Sequence, residues 1–326
     1  MNILVTGGAG YIGSHVVKQL GELGEHKITV LDNLVTGFES SILYGEFINI
    51  DLSDFKRVEE IFSENKFDAV IHFAASLVVP ESVSDPLKYY LNNTVNTANV
   101  INLCLKYKVN KFIFSSTAAV YGEPSMDKIP VDELSLTAPI NPYGSSKLMS
   151  ESVLKDASNA FLDFNYVALR YFNVAGASVD GKIGQSTKDA THLIKVAAEC
   201  ALGKREKMYV FGDDYPTADG TCIRDYIHVE DLASAHLKAL EYLEKNDKSD
   251  IFNCGYGHGF SVNEVLDTMK KVTGVDFKVL KEDRRAGDPA ALISNNSKIT
   301  KLMNWTPKYD DLELICKTAY EWEKKI

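Results

Sequence analysis

The run Thr6-Gly7-Gly8-Ala9-Gly10-Tyr11-Ile12-Gly13 constrains this chain more than any other, because it joins a first β-branched run to a first helical one. It satisfies G-x-G-x-x-G through Gly8, Gly10 and Gly13, and G-x-x-G-x-x-G through Gly7, Gly10 and Gly13. Glycine is required where a strand turns sharply into a helix and the backbone must approach a pyrophosphate resting on the positive helix end. The second strand-like run ends in Asp32, nineteen residues after Gly13. A carboxylate there accepts hydrogen bonds from an adenosine ribose and repels a 2′-phosphate. The uncharged Asn33-Leu34-Val35-Thr36 that follows offers no cation for such a phosphate, so NAD is expected rather than NADP. Asp51, closing the third strand-like run, suits an adenine contact or a helix N-cap equally.

Strands are predicted at Ile3–Thr6, Ile28–Asp32, Glu46–Ile50, Ala69–Phe73, Lys111–Ser115 and Tyr166–Arg170, with helices starting near Tyr11, Ser53, Pro86 and Tyr143. Such alternation means a parallel sheet covered on both faces, a doubly wound α/β domain of Rossmann type. After Asn173 the pattern loosens into loops at Ala175–Asp189 and Gly212–Thr221, with helix-like stretches at Ala190–Leu202 and Asp231–Leu243. A smaller, interleaved C-terminal α/β domain is expected to cap the carboxyl ends of the strands. Residues 1–173 plus about 226–254 would form the nucleotide domain, and about 174–225 plus 255–326 the substrate domain.

Thirty-five basic against forty-five acidic side chains give a net charge of −10, which argues against a nucleic-acid partner. No apolar run approaches the roughly 20 residues of a membrane span, and the first strand starts too close to Met1 to leave room for a signal peptide. The five cysteines are scattered and form no C-x-x-C pair, so reduced thiols in a cytoplasmic protein are expected. The seven histidines show no metal-binding spacing, and no metal is expected.

Tyr143-Gly-Ser-Ser-Lys147 opens a helical segment behind the start signal Asn141-Pro142. A spacing of four places phenol and ammonium on one helix face. A nearby cation, aided by a positive nicotinamide, favours the phenolate. A phenolate can take a proton from a substrate hydroxyl while hydride leaves the same carbon. Ser115-Ser116-Thr117, at the end of the fifth strand, is placed to orient that hydroxyl.

With these motifs the chain resembles the extended short-chain dehydrogenase/reductase superfamily. Further runs are similar to the UDP-glucose 4-epimerases within it: Asp68–Ala75, Phe112–Gly122, Asn141–Lys147, Leu169–Gly176 and above all Phe211–Ala233, with Arg284–Pro289 extending the likeness over nearly the whole chain. The resemblance implies Thr117, Tyr143 and Lys147 as the catalytic set. It implies an NAD site lined by Gly7, Gly10, Tyr11, Ile12, Asp32, Asn33, Asp51, Leu52, Phe73, Ala74, Ala75, Asn92, Tyr143, Lys147 and Phe172. A UDP-sugar would be held by Thr117, Tyr143, Asn173, His192, Tyr209, Phe211, Arg224, Arg285, Asp288 and Leu292. Two arginines suit a diphosphate, and Tyr209 and Phe211 alternate so that one strand face can pack on uracil. For Arg224-Asp225 a local ion pair is the competing reading.

Two positions depart from the family pattern: Leu77 stands where some members have a Lys near the cofactor, and His192 where an Asn often contacts the diphosphate. The implied reaction is oxidation of the sugar at C4, rotation of the keto sugar and re-reduction, interconverting UDP-galactose and UDP-glucose with retained NAD. Dehydrating relatives carry acidic residues beside the threonine, where this chain has Ala118-Ala119, and an idle NAD-binding regulator needs no Tyr143–Lys147 pair. Leu292 occupies the position where a large Tyr excludes N-acetylated sugars, so some acceptance of these is expected; pentoses and uronates stay open. The resemblance also implies a homodimer through helices of the first domain, although the apolar spacing of Val95–Leu105 fits a buried helix as well.

Overall fold

The computed structural model describes residues 1–188, 190–285 and 288–326. Asp189, the last residue of the predicted loop, and Ala286-Gly287 of the arginine-rich run lie outside the described residues.

The first half runs β1 (Asn2–Thr6), α1 (Tyr11–Leu23), β2 (Lys27–Asp32), β3 (Glu46–Asn49), α2 (Phe55–Glu64) and β4 (Ala69–His72). Two short helices, α3 (Val79–Ser84) and α4 (Pro86–Tyr89), then a π-helical turn at Tyr90–Val95, lead into α5 (Asn96–Tyr107). β5 (Lys111–Thr117), α6 (Pro142–Ala160), β6 (Asn165–Tyr171) and β7 (Asn173–Ala175) follow. The second half runs α7 (Leu193–Ala201), β8 (Met208–Phe211), β9 (Ile223–Arg224), β10 (Tyr226–His228), α8 (Val229–Asn246) and β11 (Asp250–Cys254). It ends with β12 (Phe260–Ser261), α9 (Val262–Thr273), β13 (Val279–Glu282), β14 (Ala291–Leu292), α10 (Ser297–Met303) and α11 (Leu312–Glu323).

Seven strands form one sheet in the order β11-β6-β5-β4-β1-β2-β3, every pairing parallel. Alternation along each strand sends side chains to opposite faces. Ile3, Val5, Ile28, Val30, Ile71, Ile113, Val167 and Leu169 enter the core beneath α1 and α8. Leu4, Leu31, Val70, Phe112, Phe114 and Ala168 enter the core on the side of α2, α5 and α6. Burial on both faces is why these strands read as apolar runs.

The sequence does not signal β11, whose Asp250 and Asn253 dilute the apolar pattern; it is recruited as an edge strand because α8 returns the chain beside β6. The second predicted helix starts at Phe55 rather than near Ser53, capped by Asp54, whose side chain accepts from Arg57 N–H. The helix predicted from Ala190 starts at Leu193. Beyond the main sheet, β7 pairs with β10, β8 with β13, and β9 lies between β12 and β14. No described helix is long and apolar enough to cross a membrane.

Candidate active site

The glycine turn emerges at the carboxyl end of β1. Gly7 has φ +71°, and a Cβ there would stand 2.5 Å from the Ala74 nitrogen, so the turn packs directly on the chain leaving β4. Phe73 and Ala74 both donate their N–H to Thr6 O, at 2.8 and 3.2 Å. At Gly13 a Cβ would come within 2.3 Å of Gly7 O. Helix α1 follows Gly10 as its N-cap, with no side-chain cap and no acidic residue in its first turn. Its first N–H groups and positive dipole end are thus left for an anion, which fits a pyrophosphate.

Asp32 is buried at the end of β2 and accepts from Ala9 N–H (3.0 Å) and Leu34 N–H (2.8 Å). Burial raises its pKa, and the backbone donors oppose this. The carboxylate therefore braces the glycine turn. Asp51 is not a helix cap: it accepts from Asn33 Nδ2 (2.7 Å) and Ser53 N–H (2.8 Å), and hydrogen bonds from the Ser53 side chain and backbone and from Asn33 hold its carboxyl below the usual range. Leu52 beside it is buried. Together Asp32, Asn33 and Asp51 form one polar rim across the ends of β2 and β3.

Asn141 caps α6 by accepting from Gly144 N–H (2.9 Å), with Pro142 in the first turn, as its start signal predicts. A Cβ on Gly144 would lie 2.8 Å from Ala119 O, so α6 meets the loop after β5 closely there. That approach brings Tyr143 beside Thr117, which is itself buried. Burial raises the Tyr143 phenol, and a hydrogen bond with Thr117 pulls it down.

Lys147 Nζ donates to Ser115 O at 2.8 Å and lies over the Phe114 ring. Burial lowers its pKa to about 7, against the opposing charge of Glu151.

Glu151 and Asn93 were not singled out from the sequence. Glu151 lies one further helical turn along the Tyr143–Lys147 face, so the same spacing of four marks it. It accepts from Ser116 Oγ (2.5 Å) and from Arg170 Nε (3.0 Å) and Nη2 (2.7 Å), a buried bidentate pair. Tyr121 OH accepts from Arg170 (2.9 Å) and donates to Asn253 Oδ1 (2.6 Å). Asn93, buried in the π-helical turn, accepts from Ser76 N–H (2.7 Å) and donates to Ser76 O and Ser146 Oγ, both at 3.0 Å. It ties the loop after β4 to α6, and neighbouring Asn92 donates to Ser76 Oγ (2.9 Å). No spacing rule marks Asn93. Leu77, one residue further on, is exposed.

The expected UDP-sugar residues fall on the elements of the second half. On β8, Met208 and Val210 are buried while Tyr209 and Phe211 share the outer face, their rings 6.1 Å apart. Arg285 lies over the Phe211 ring. Arg224 bonds Pro289 O (2.8 Å) and pairs with Asp288 (3.3 Å). It does not pair with Asp225, whose carboxylate accepts from Tyr256, Gly257 and Ser294 N–H, so the local ion pair is excluded. Leu292 adjoins Arg224 in register and belongs to one buried apolar cluster with Ala118, Val120 and Phe172. Asn173 and His192 line one cavity together with Gln185 and Lys195, and Gln185 Nε2 lies 2.9 Å from His192 Nδ1.

The sequence matches the NAD dependent epimerase/dehydratase family over residues 3–255. It is 46% identical to a UDP-glucose 4-epimerase of Lacticaseibacillus casei over 325 residues, covering 99% of this chain and 97% of that one. The fold is similar to that of the UDP-Glc/GlcNAc 4-epimerase from Campylobacter jejuni, at 60% identity and TM-score 0.87, covering 100% and 99% of the two chains. It is also similar to a UDP-glucose 4-epimerase from Brucella ovis solved in complex with NAD, at 44% identity and TM-score 0.94, covering 98% and 97%.

Proposed function

Given that the chain belongs to the NAD dependent epimerase/dehydratase family, we propose that it interconverts UDP-galactose and UDP-glucose with retained NAD, and accepts the N-acetyl forms in part. The observation that carries this reading is Tyr143 beside Thr117, four residues before Lys147 on α6, where Gly144 closely meets the loop after β5. Family relatives of the same length, and a fold neighbour solved with NAD, support it.

NAD, when bound, accepts a hydride from the sugar and returns it. Gly7, Gly10, Tyr11 and Ile12 would hold its pyrophosphate, and Asp32, Asn33, Asp51 and Leu52 its adenosine. Phe73, Ala74, Ala75, Asn92 and Phe172 would line the remainder. Thr117 orients the sugar 4-hydroxyl, and Tyr143 takes its proton as the C4 hydrogen leaves with its electron pair. The keto sugar turns over, C4 recovers the hydride on its other face, and Tyr143 gives the proton back. Lys147 keeps its amine at the Ser115 carbonyl, one turn behind the phenol. Tyr209 and Phe211 would face uracil. Arg224, Arg285, Asn173 and His192 would meet the diphosphate, with Asp288 positioning Arg224.

Residues 1–173 and about 226–254 would act as the NAD domain, and about 174–225 with 255–326 as the UDP-sugar domain. Exposed Val83, Leu87 and Leu91, along the chain from α3 to the π-helical turn, support a homodimer through this part of the first domain. Five free, buried thiols suit the cytoplasm.

Proton NMR of the protein with UDP-galactose and no added cofactor tests the reading. Conversion to an equilibrium mixture with UDP-glucose is expected. Tyr143→Phe should lower turnover by about 10²–10⁴-fold while keeping bound NAD. A parent that converts nothing even with NAD supplied would refute the assignment.

A further inference from the structure

Behind the cavity lined by Asn173 and His192 stands a charged cluster that the reaction does not use. Lys195 and Glu323, both buried, pair at 2.7 Å. Lys195 also reaches Glu199 (3.4 Å) and donates to Gln185 O (3.2 Å). The second Glu323 oxygen is held by Lys204 at 2.8 Å. Gln185 in turn places its amide 2.9 Å from His192 Nδ1. With that amide donating, Nδ1 is the acceptor and the ring proton sits on Nε2, the tautomer that can donate to an anion.

We propose that Glu323 is a positioning residue for the substrate diphosphate, acting through Lys195, Gln185 and His192. The inference rests on the reading that His192 meets the diphosphate. A buried ion pair is not needed for stability, since packed apolar side chains serve as well or better. What this pair provides is a cation fixed by two carboxylates and aimed at the Gln185 carbonyl. The Gln185 side chain is thereby held where it orients the histidine. The glutamate never touches the nucleotide; it determines where a donor to the nucleotide stands.

Steady-state kinetics of the holoenzyme test this with Glu323→Gln and with the double variant Lys195→Met/Glu323→Gln. The double variant removes both buried charges, so neither is left unpaired in the interior. Expected are a rise of about tenfold in KM for UDP-galactose and in the inhibition constant of UDP, equivalent to one lost hydrogen bond to a charged group. Turnover, bound NAD and inhibition by uridine, which has no phosphate, should stay unchanged. Added to His192→Ala, either variant should raise KM no further. An unchanged KM in the double variant, or effects that add to those of His192→Ala, would overturn the proposal. If His192→Ala itself leaves UDP inhibition unchanged, the premise falls and the proposal with it. That outcome differs from failure of the relay alone, in which His192→Ala weakens UDP and the double variant does not.

Discussion

The guanidinium of Arg285 lies 3.6 Å from the centre of the Phe211 ring, although the two groups were expected to serve opposite ends of the nucleotide. Cation and ring face attract, by about 0.5–1 kcal/mol at an exposed site. A planar guanidinium can keep that stack while presenting its edge to a phosphate, and an ammonium cannot. Arg285→Ala should therefore raise KM for UDP-galactose about 10–100-fold, the scale of a lost charge-assisted contact, and leave bound NAD intact. Arg285→Lys should recover little of this. Steady-state kinetics with UDP-galactose check both, and an unchanged KM would remove Arg285 from the substrate site.

Leu292 belongs to one buried apolar cluster with Ala118, Val120 and Phe172, and Ala118 follows Thr117 in the chain. Native packing leaves little slack for a larger ring at this position, so it would intrude on the proposed sugar site. In Leu292→Tyr, turnover of the N-acetyl sugar nucleotide should fall at least tenfold relative to that of UDP-galactose. The ratio of kcat/KM values for the two substrates is the readout, and an unaltered ratio would place the sugar elsewhere.

Lys147 is buried, which brings its pKa from 10.5 down to about 7. Between those values the unfolded chain binds a proton that the folded chain does not. The cost to stability is therefore complete below pH 7 and fades as pH rises toward 10.5. Lys147→Met removes it. The variant should gain Tm relative to the parent at pH 6–7, with the gain shrinking steadily toward pH 10. Thermal melts across that range decide the matter, and a constant offset would mean that Lys147 stays charged in the fold.

Four histidines are held neutral by burial: His72 and His228 near pKa 3, His15 and His236 near 4. Below about pH 6.5 the unfolded chain takes up protons that these side chains refuse. Stability should fall as pH drops from 6.5 toward 4, at up to about 1.4 kcal/mol per pH unit for each histidine. His72 sits between the hydroxyls of Thr6 (2.7 Å) and Thr97 (2.9 Å). His72→Gln can keep polar partners there without titrating, so its urea-unfolding free energy should depend less steeply on pH over this window. Parallel slopes for parent and variant would show that His72 is not one of the groups responsible.

The sequence by itself determined the parallel sheet, the glycine turn and the Asn141-capped start of the catalytic helix. All three rest on local rules: strand and helix periodicity, backbone freedom at Gly7, and a side-chain acceptor ahead of Pro142. Tyr143, Lys147 and Glu151 share one helix face by the same kind of rule. Only the tertiary structure decided what those groups do. It turned Lys147 toward Ser115 O, gave Asp225 to Ser294 and Gly257 rather than to Arg224, recruited β11 beside β6, and placed Asn93 between Ser76 and Ser146. Each outcome depends on partners 17 to 83 residues away in the chain. Periodicity can place a side chain on a face, but the partner it meets there, and the pKa that burial imposes on it, exist only once distant segments have packed.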